Sequence, residues 1–131
     1  MALTITAVAA QAMGAALATD IGSASTIEFR TGTKPATPET AASGTLLGTV
    51  AISGSFTSTG GVLTAADPAA VSVVASGTPG YFRVKTSGGT AKVDGTVTTS
   101  GGGGDAQFAN TTWVSGGTVD LGVPTINVPV A

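Results

Sequence analysis

The sequence predicts an all-β domain, an antiparallel β-sandwich of jelly-roll or immunoglobulin-like type, preceded by a short N-terminal helix. Three observations carry this. From Thr26 onward, Val, Ile, Phe and Thr alternate with small or polar residues, the period of a half-buried strand. Turn signals built on Gly, Pro and Asn return about every dozen residues, the spacing of a sandwich or barrel. Before them stands MALTITAVAAQAMGAALATDIG, rich in Ala and without that alternation.

In chain order, residues 8 to 19 are the helix candidate. Met13, Leu17 and Ile21 recur at i, i+4 and i+8 as an apolar stripe, and Gly22 supplies a stop. A domain division follows: residues 1–24 as a helical arm and 25–131 as the sandwich. The strands expected are Thr26–Thr31, Leu46–Ile52, Gly61–Ala65, Val71–Ala75, Tyr81–Ser87, Thr90–Thr98, Thr112–Ser115, Thr118–Val123 and Thr125–Val130. TGTKPATPETAASG, residues 31–44, reads as a long loop, and Gly101–Gly104 as a flexible connector. Pro124 and Pro129 flank the last strand and cannot donate ladder hydrogen bonds, which assigns that strand to an edge.

Composition narrows function. The 131 residues suit one domain with a genuine core. Only 9% are charged and the formal net charge is −2, so there is no basic footprint for nucleic acid or an anionic membrane. Without Cys or His there is no disulfide, no thiolate nucleophile, no usual zinc ligand set and no imidazole base. Mean hydropathy is +0.42, reflecting missing charge more than added Leu or Phe. A surface of Thr, Ser, Gly and Ala has little charge to keep copies apart, which points to coverage by another protein.

Ala16-Leu17-Ala18 resembles a signal-peptidase site, but the first basic residue is Arg30 and no charged n-region precedes it. A cytoplasmically made, unprocessed product is expected. No uninterrupted apolar run is long enough to span a bilayer.

The charge that exists is concentrated in GYFRVKTSGGTAKVDGTVTTSGGGGD, residues 80–105. A two-residue turn at Gly88-Gly89 pairs Val84 with Val93, Arg83 with Asp94, Lys85 with Lys92 and Phe82 with Gly95. Period two then sets Phe82, Val84 and Val93 on the core face and Arg83, Lys85, Lys92 and Asp94 on the other. A general base needs burial or a strong neighbour to tune it, and this face promises neither. It is expected to be a solvated face, with Arg83, Lys85 and Lys92 on an interface rim.

Other candidates for chemistry are weaker. Gly101–Gly104 lacks the Gly-Lys-Ser/Thr of a phosphate loop. Asp67, Asp105 and Asp120 lack calcium-loop spacing. Asn110-Thr111-Thr112 is a glycosylation sequon, which matters only in a eukaryotic secretory setting. No activated Ser or Thr is evident, so no catalytic residue, metal or cofactor is expected. Trp113 is less easily placed. A turn at Gly116-Gly117 would pair Val114 with Val119 and Trp113 with Asp120, setting Trp113 outside as a contact anchor. A register shifted by one would bury it.

The Ala-rich amino-terminal helix, TIEFRTGTKPATPETAASGTLLGTVAISG, GGVLTA, GYFRVKTSGGTAKVDGTVTTSGG and the terminal GTVDLGVPTINVPV together resemble a family of small proteins of tailed bacteriophages and prophages. The resemblance spans nearly the whole chain. Its most specific pieces are Thr31-Gly32-Thr33-Lys34-Pro35-Ala36 and Tyr81–Val84 leading into Val93-Asp94-Gly95. It implies a virion structural protein and supplies no catalytic residue. The expected function is therefore a non-enzymatic capsid decoration or cement protein, homo-oligomeric, bound to other virion proteins and above all to the major capsid protein. It would be made in the host cytoplasm and located in the virion. The alternatives are a tail or fibre-attachment component and a carbohydrate-binding or adhesin-type module, for which one Trp and one Tyr far apart are a poor platform.

Overall fold

Thr6 opens the helix: its hydroxyl accepts the Ala9 N–H at 3.1 Å, satisfying one of the donors a helix start leaves free. In the computed structural model, which describes residues 5–66, 68–121 and 125–127, helix α1 runs Ala7–Ile21. Gly22 ends it at φ 75°, donating to the Ala18 carbonyl. The buried side is Ala10, Gly14, Ala18 and Ile21; of the predicted stripe Ile21 is buried, Leu17 half-buried and Met13 exposed. The cause is closeness. A Cβ at Gly14 would collide with the Ser58 hydroxyl, and the Gln11 amide donates to the Ser58 carbonyl at 2.9 Å. At position 14 only Gly fits such an approach. Ala18 and Ile21 belong to the common core.

The rest is mostly β. The strands are β1 Thr26–Thr31, β2 Leu46–Ala51, β3 Thr57–Thr59, β4 Val62–Thr64, β5 Val71–Ser72, β6 Pro79–Lys85, β7 Ala91–Thr99, β8 Ala106–Phe108, β9 Thr118–Val119 and β10 Thr125–Asn127. A curled mixed sheet has the order β2-β1-β6-β7-β8; β10-β4-β3 and β5-β9 form smaller antiparallel groups. β1 matches its expected span; β3 and β8 carry no sequence signal strong enough to predict them. Thr112–Ser115 is not a strand and makes a single bridge, Trp113 to Gly77. β10 lies at an edge of its group as expected, while Pro124, Pro129 and residues 128–130 of the expected last strand lie outside the described residues.

The β6–β7 hairpin realises three of four predicted pairs: Val84–Val93, Arg83–Asp94 and Phe82–Gly95. A Cβ at Gly95 would run into the Phe82 ring, so the glycine makes room for the aromatic lying over it. The turn itself differs. The Thr86 carbonyl accepts the Gly89 N–H, and the Thr86 N–H donates to the Thr90 carbonyl. That is a three-residue loop in which only Gly89 has positive φ, 90°. The extra loop residue is balanced by a bulge on β7, so Lys85 faces Ala91 rather than Lys92. Two like charges are thereby kept from facing each other.

β7 and β8 pair in parallel, Val97 with Ala106 and Thr99 with Phe108, across only residues 100–105. Parallel neighbours ordinarily need a crossover of a dozen residues or more. The glycine run makes the short return possible. Gly101 and Gly103 take φ of 86° and 82°, and a Cβ at Gly102 or Gly104 would lie 2.8 Å from Thr98. Rather than a slack connector, this is a bonded turn: Gly104 N–H donates to Thr98 Oγ1, and Gly101 N–H to Gln107 Oε1.

The core gathers the inward residues of β1 and β6 with Leu47, Leu63, Val71 and Val97. Phe29, Phe108 and Trp113 form a mutual ring cluster, centroids 5.3 to 5.8 Å apart.

Candidate functional site

Alternation on β1, β6 and β7 sends Glu28, Arg30, Tyr81, Arg83, Lys85 and Asp94 to the face away from the core. The predicted division of faces is right, but the predicted solvation is not. Residues 32–44 lie across this face as a strap. The Arg83 and Asp94 side chains are only 4% and 1% exposed and meet in a two-pronged pair, Nε–Oδ1 2.7 Å and Nη2–Oδ2 2.8 Å. Arg83 Nη1 donates to the Thr40 carbonyl of the strap at 2.9 Å. Tyr81, fully buried, donates its hydroxyl to the Ser43 carbonyl and accepts the Ser43 N–H.

Hydrogen bonding by Asp94 raises the Arg83 guanidinium pKa against the opposing effect of burial, so the cation is held firmly. Beside it Lys85 reaches Glu28 at 2.9 Å, and Arg30 reaches the same carboxylate at 3.2 Å. Burial pushes Glu28 up, but hydrogen bonds from Lys85 and Arg30 and their positive charges outweigh it, leaving the carboxyl below the usual range. Lys92, displaced by the bulge, pairs instead with Asp20 near the helix end at 3.0 Å. Arg83 is thus sealed and Lys85 and Lys92 are paired within the chain. On this face Asp94 is paired with Arg83 and Glu28 with Lys85 and Arg30, and sequence missed the cover because nothing in the pattern of residues 31–44 shows where that loop lies.

Trp113 lies inside the protein, 3% exposed, against Phe29 and Phe108, with Nε1 donating to the Asn110 carbonyl. The predicted pairing with Asp120 does not form. Gly116-Gly117 makes no hairpin of the flanking segments: Thr118 and Val119 pair with Ser72 and Val71, and Gly77 takes Trp113. Val114, predicted to face inward, is exposed instead. Trp113 and Val114 have exchanged sides.

An apolar cleft of about 190 Å³ opens beside β8, lined by Phe29, Phe56, Phe82, Phe108 and Ile126. At its rim Asp105 is bonded to Thr96, and Gln107 to Gly101 and Gly104, so these side chains serve the turn first. Among the described residues no three acidic side chains cluster as metal ligands would, and no helix is long and apolar enough to cross a membrane. Asp67 lies outside the described residues; Asn110 is exposed, its Oδ1 accepting the Thr112 N–H.

The outer side of α1 is apolar over its first turns. Ala7, Val8, Ala12, Met13, Ala15 and Ala16 are exposed there, Val8 to 80%. Thr19 turns its hydroxyl back to the Ala15 carbonyl at 3.0 Å. The helix carries no charge before Asp20. Comparison with protein-family models, with curated proteins and with solved structures gave no match.

Proposed function

We propose that the chain is a non-enzymatic virion structural protein, a head-decoration or cement protein that attaches to the major capsid protein as a homo-oligomer. The observation that favours this is the outer side of α1. Through Ala16 its outward residues are Ala, Val and Met, an apolar side that a surface helix ordinarily turns to a core. Coverage by a protein partner accounts for it, and coverage is what a decoration protein undergoes.

The interface expected at Trp113, Arg83, Lys85 and Lys92 moves accordingly to Val8, Ala12, Met13 and Ala16. Trp113 and Arg83 are inside, and the two lysines are engaged with Glu28 and Asp20. A sugar-binding reading loses its support for the same reason, since Trp113 and Tyr81 are both buried. For the architecture we infer a two-layered β-sandwich of the jelly-roll or immunoglobulin-like kind. Ring contacts from Phe29 of β1 to Trp113, which bridges Gly77, are its main support.

The test is rebinding to purified particles lacking the protein, followed by imaging of the particle. Val8→Glu with Met13→Glu should leave thermal unfolding nearly unchanged and weaken attachment tenfold or more. Density on the tail would favour the tail or fibre-attachment alternative. Unaltered binding by the double variant would remove α1 from the interface.

A further inference from the structure

The strap has an anatomy of its own. It is bounded by Gly32 and Gly44, both at positive φ, 88° and 74°. Between them Pro35 is buried, yet no residue from 32 to 45 belongs to the hydrophobic core. The hold on the sheet is polar: the two Tyr81–Ser43 bonds and the one from Arg83 to Thr40. At the hinge ends, Thr45 N–H donates to Thr31 Oγ1, and Arg30 reaches the Gly44 carbonyl only at 3.4 Å.

Such a cover is poorly fixed. The two Tyr81–Ser43 bonds are neutral and only the Arg83–Thr40 bond is charge-assisted, so together they offset only part of the entropy lost in ordering the strap backbone. Beneath lies an ion pair whose burial carries a desolvation penalty, so admitting water to Arg83 and Asp94 offsets part of what is lost on opening. The ladders that join β1, β6 and β7 do not include the strap.

We propose that residues 33–43 form a strap that opens as a unit about Gly32 and Gly44 while the sheet stays folded. Opening turns a sealed surface into an accessible one bearing Tyr81, Arg83 and Asp94 beside Arg30, Lys85 and Glu28. This device stands apart from the virion reading and is tested without any particle.

The chain contains two glutamates, and their positions make the measurement specific. Glu39 is exposed on the strap, next to the Thr40 carbonyl that Arg83 holds; Glu28 lies in β1, paired on both sides. A glutamyl endopeptidase acting on the folded full-length protein should cut after Glu39 alone, at a rate insensitive to low urea. Tyr81→Phe, which removes both bonds to Ser43, should speed that cut roughly tenfold or more while Glu28 stays protected. Amide exchange of Ser43 in the unaltered protein gives a second measurement and should outpace that of Arg83 and Val84. Simultaneous cutting at both glutamates, with the urea dependence of global unfolding, would overturn the proposal. So would a Ser43 amide exchanging only as slowly as the sheet.

Discussion

Arg83 and Asp94 face each other across β6 and β7 and are joined by two parallel hydrogen bonds, both side chains almost wholly withdrawn from water. In a chain with so few charges, one buried pair carries much of the electrostatic consequence. Removing a single partner strands the other, at about 3–5 kcal/mol in comparable buried pairs. Asp94→Asn should fall near the lower end, about 3 kcal/mol by urea denaturation, because an opening strap returns the stranded guanidinium to water. Arg83→Met with Asp94→Leu should lose less than the single substitution, since no lone charge remains. A loss below about 1 kcal/mol for Asp94→Asn would mean that the pair is already hydrated.

Trp113 and Val114 form the second comparison. Trp113→Ala removes a ring packed against two phenylalanines and should destabilise by about 3–5 kcal/mol. Val114→Ala, at an exposed position, should stay within about 0.5 kcal/mol. Thermal unfolding of the two variants decides it; the reverse ranking would restore the hairpin that the sequence suggests.

Legibility in the sequence followed the range of the interactions. Helix α1, with its Gly stop, and the faces of β6 and β7 were readable because stop signals and alternation act over a few residues. Ile21 was placed correctly, but Met13 was misread because stripe reasoning favours the largest apolar residues, whereas contact with Ser58 selects the smallest, Gly14. Lys85 and Lys92 were paired wrongly because a three-residue loop and a bulge compensate each other, leaving the distant register unchanged. The side of Trp113 was left open between exposure and burial because its partner, Gly77, lies far off in sequence, and a local hairpin was the pairing visible. The burial of Arg83 depends on where the strap lies, a tertiary fact with no local signature.

Glu28 supplies a pH dependence whose direction follows from its environment. Burial alone would raise its carboxyl pKa, but the hydrogen bonds and charges of Lys85 and Arg30 prevail, and the folded value is below the ordinary one. The folded protein therefore binds that proton less readily than the unfolded chain does. The contribution to stability is present above the ordinary Glu pKa of about 4.3 and is lost as pH falls through the depressed folded value. Glu28→Gln retains an acceptor for Lys85 but cannot titrate. Its midpoint temperature should lie below that of the unaltered protein at neutral pH, and the difference should narrow from about pH 5 to about pH 3. Two parallel curves across that interval would show that Glu28 titrates alike in the folded and unfolded chain, and that its contacts with Lys85 and Arg30 contribute nothing to acid stability.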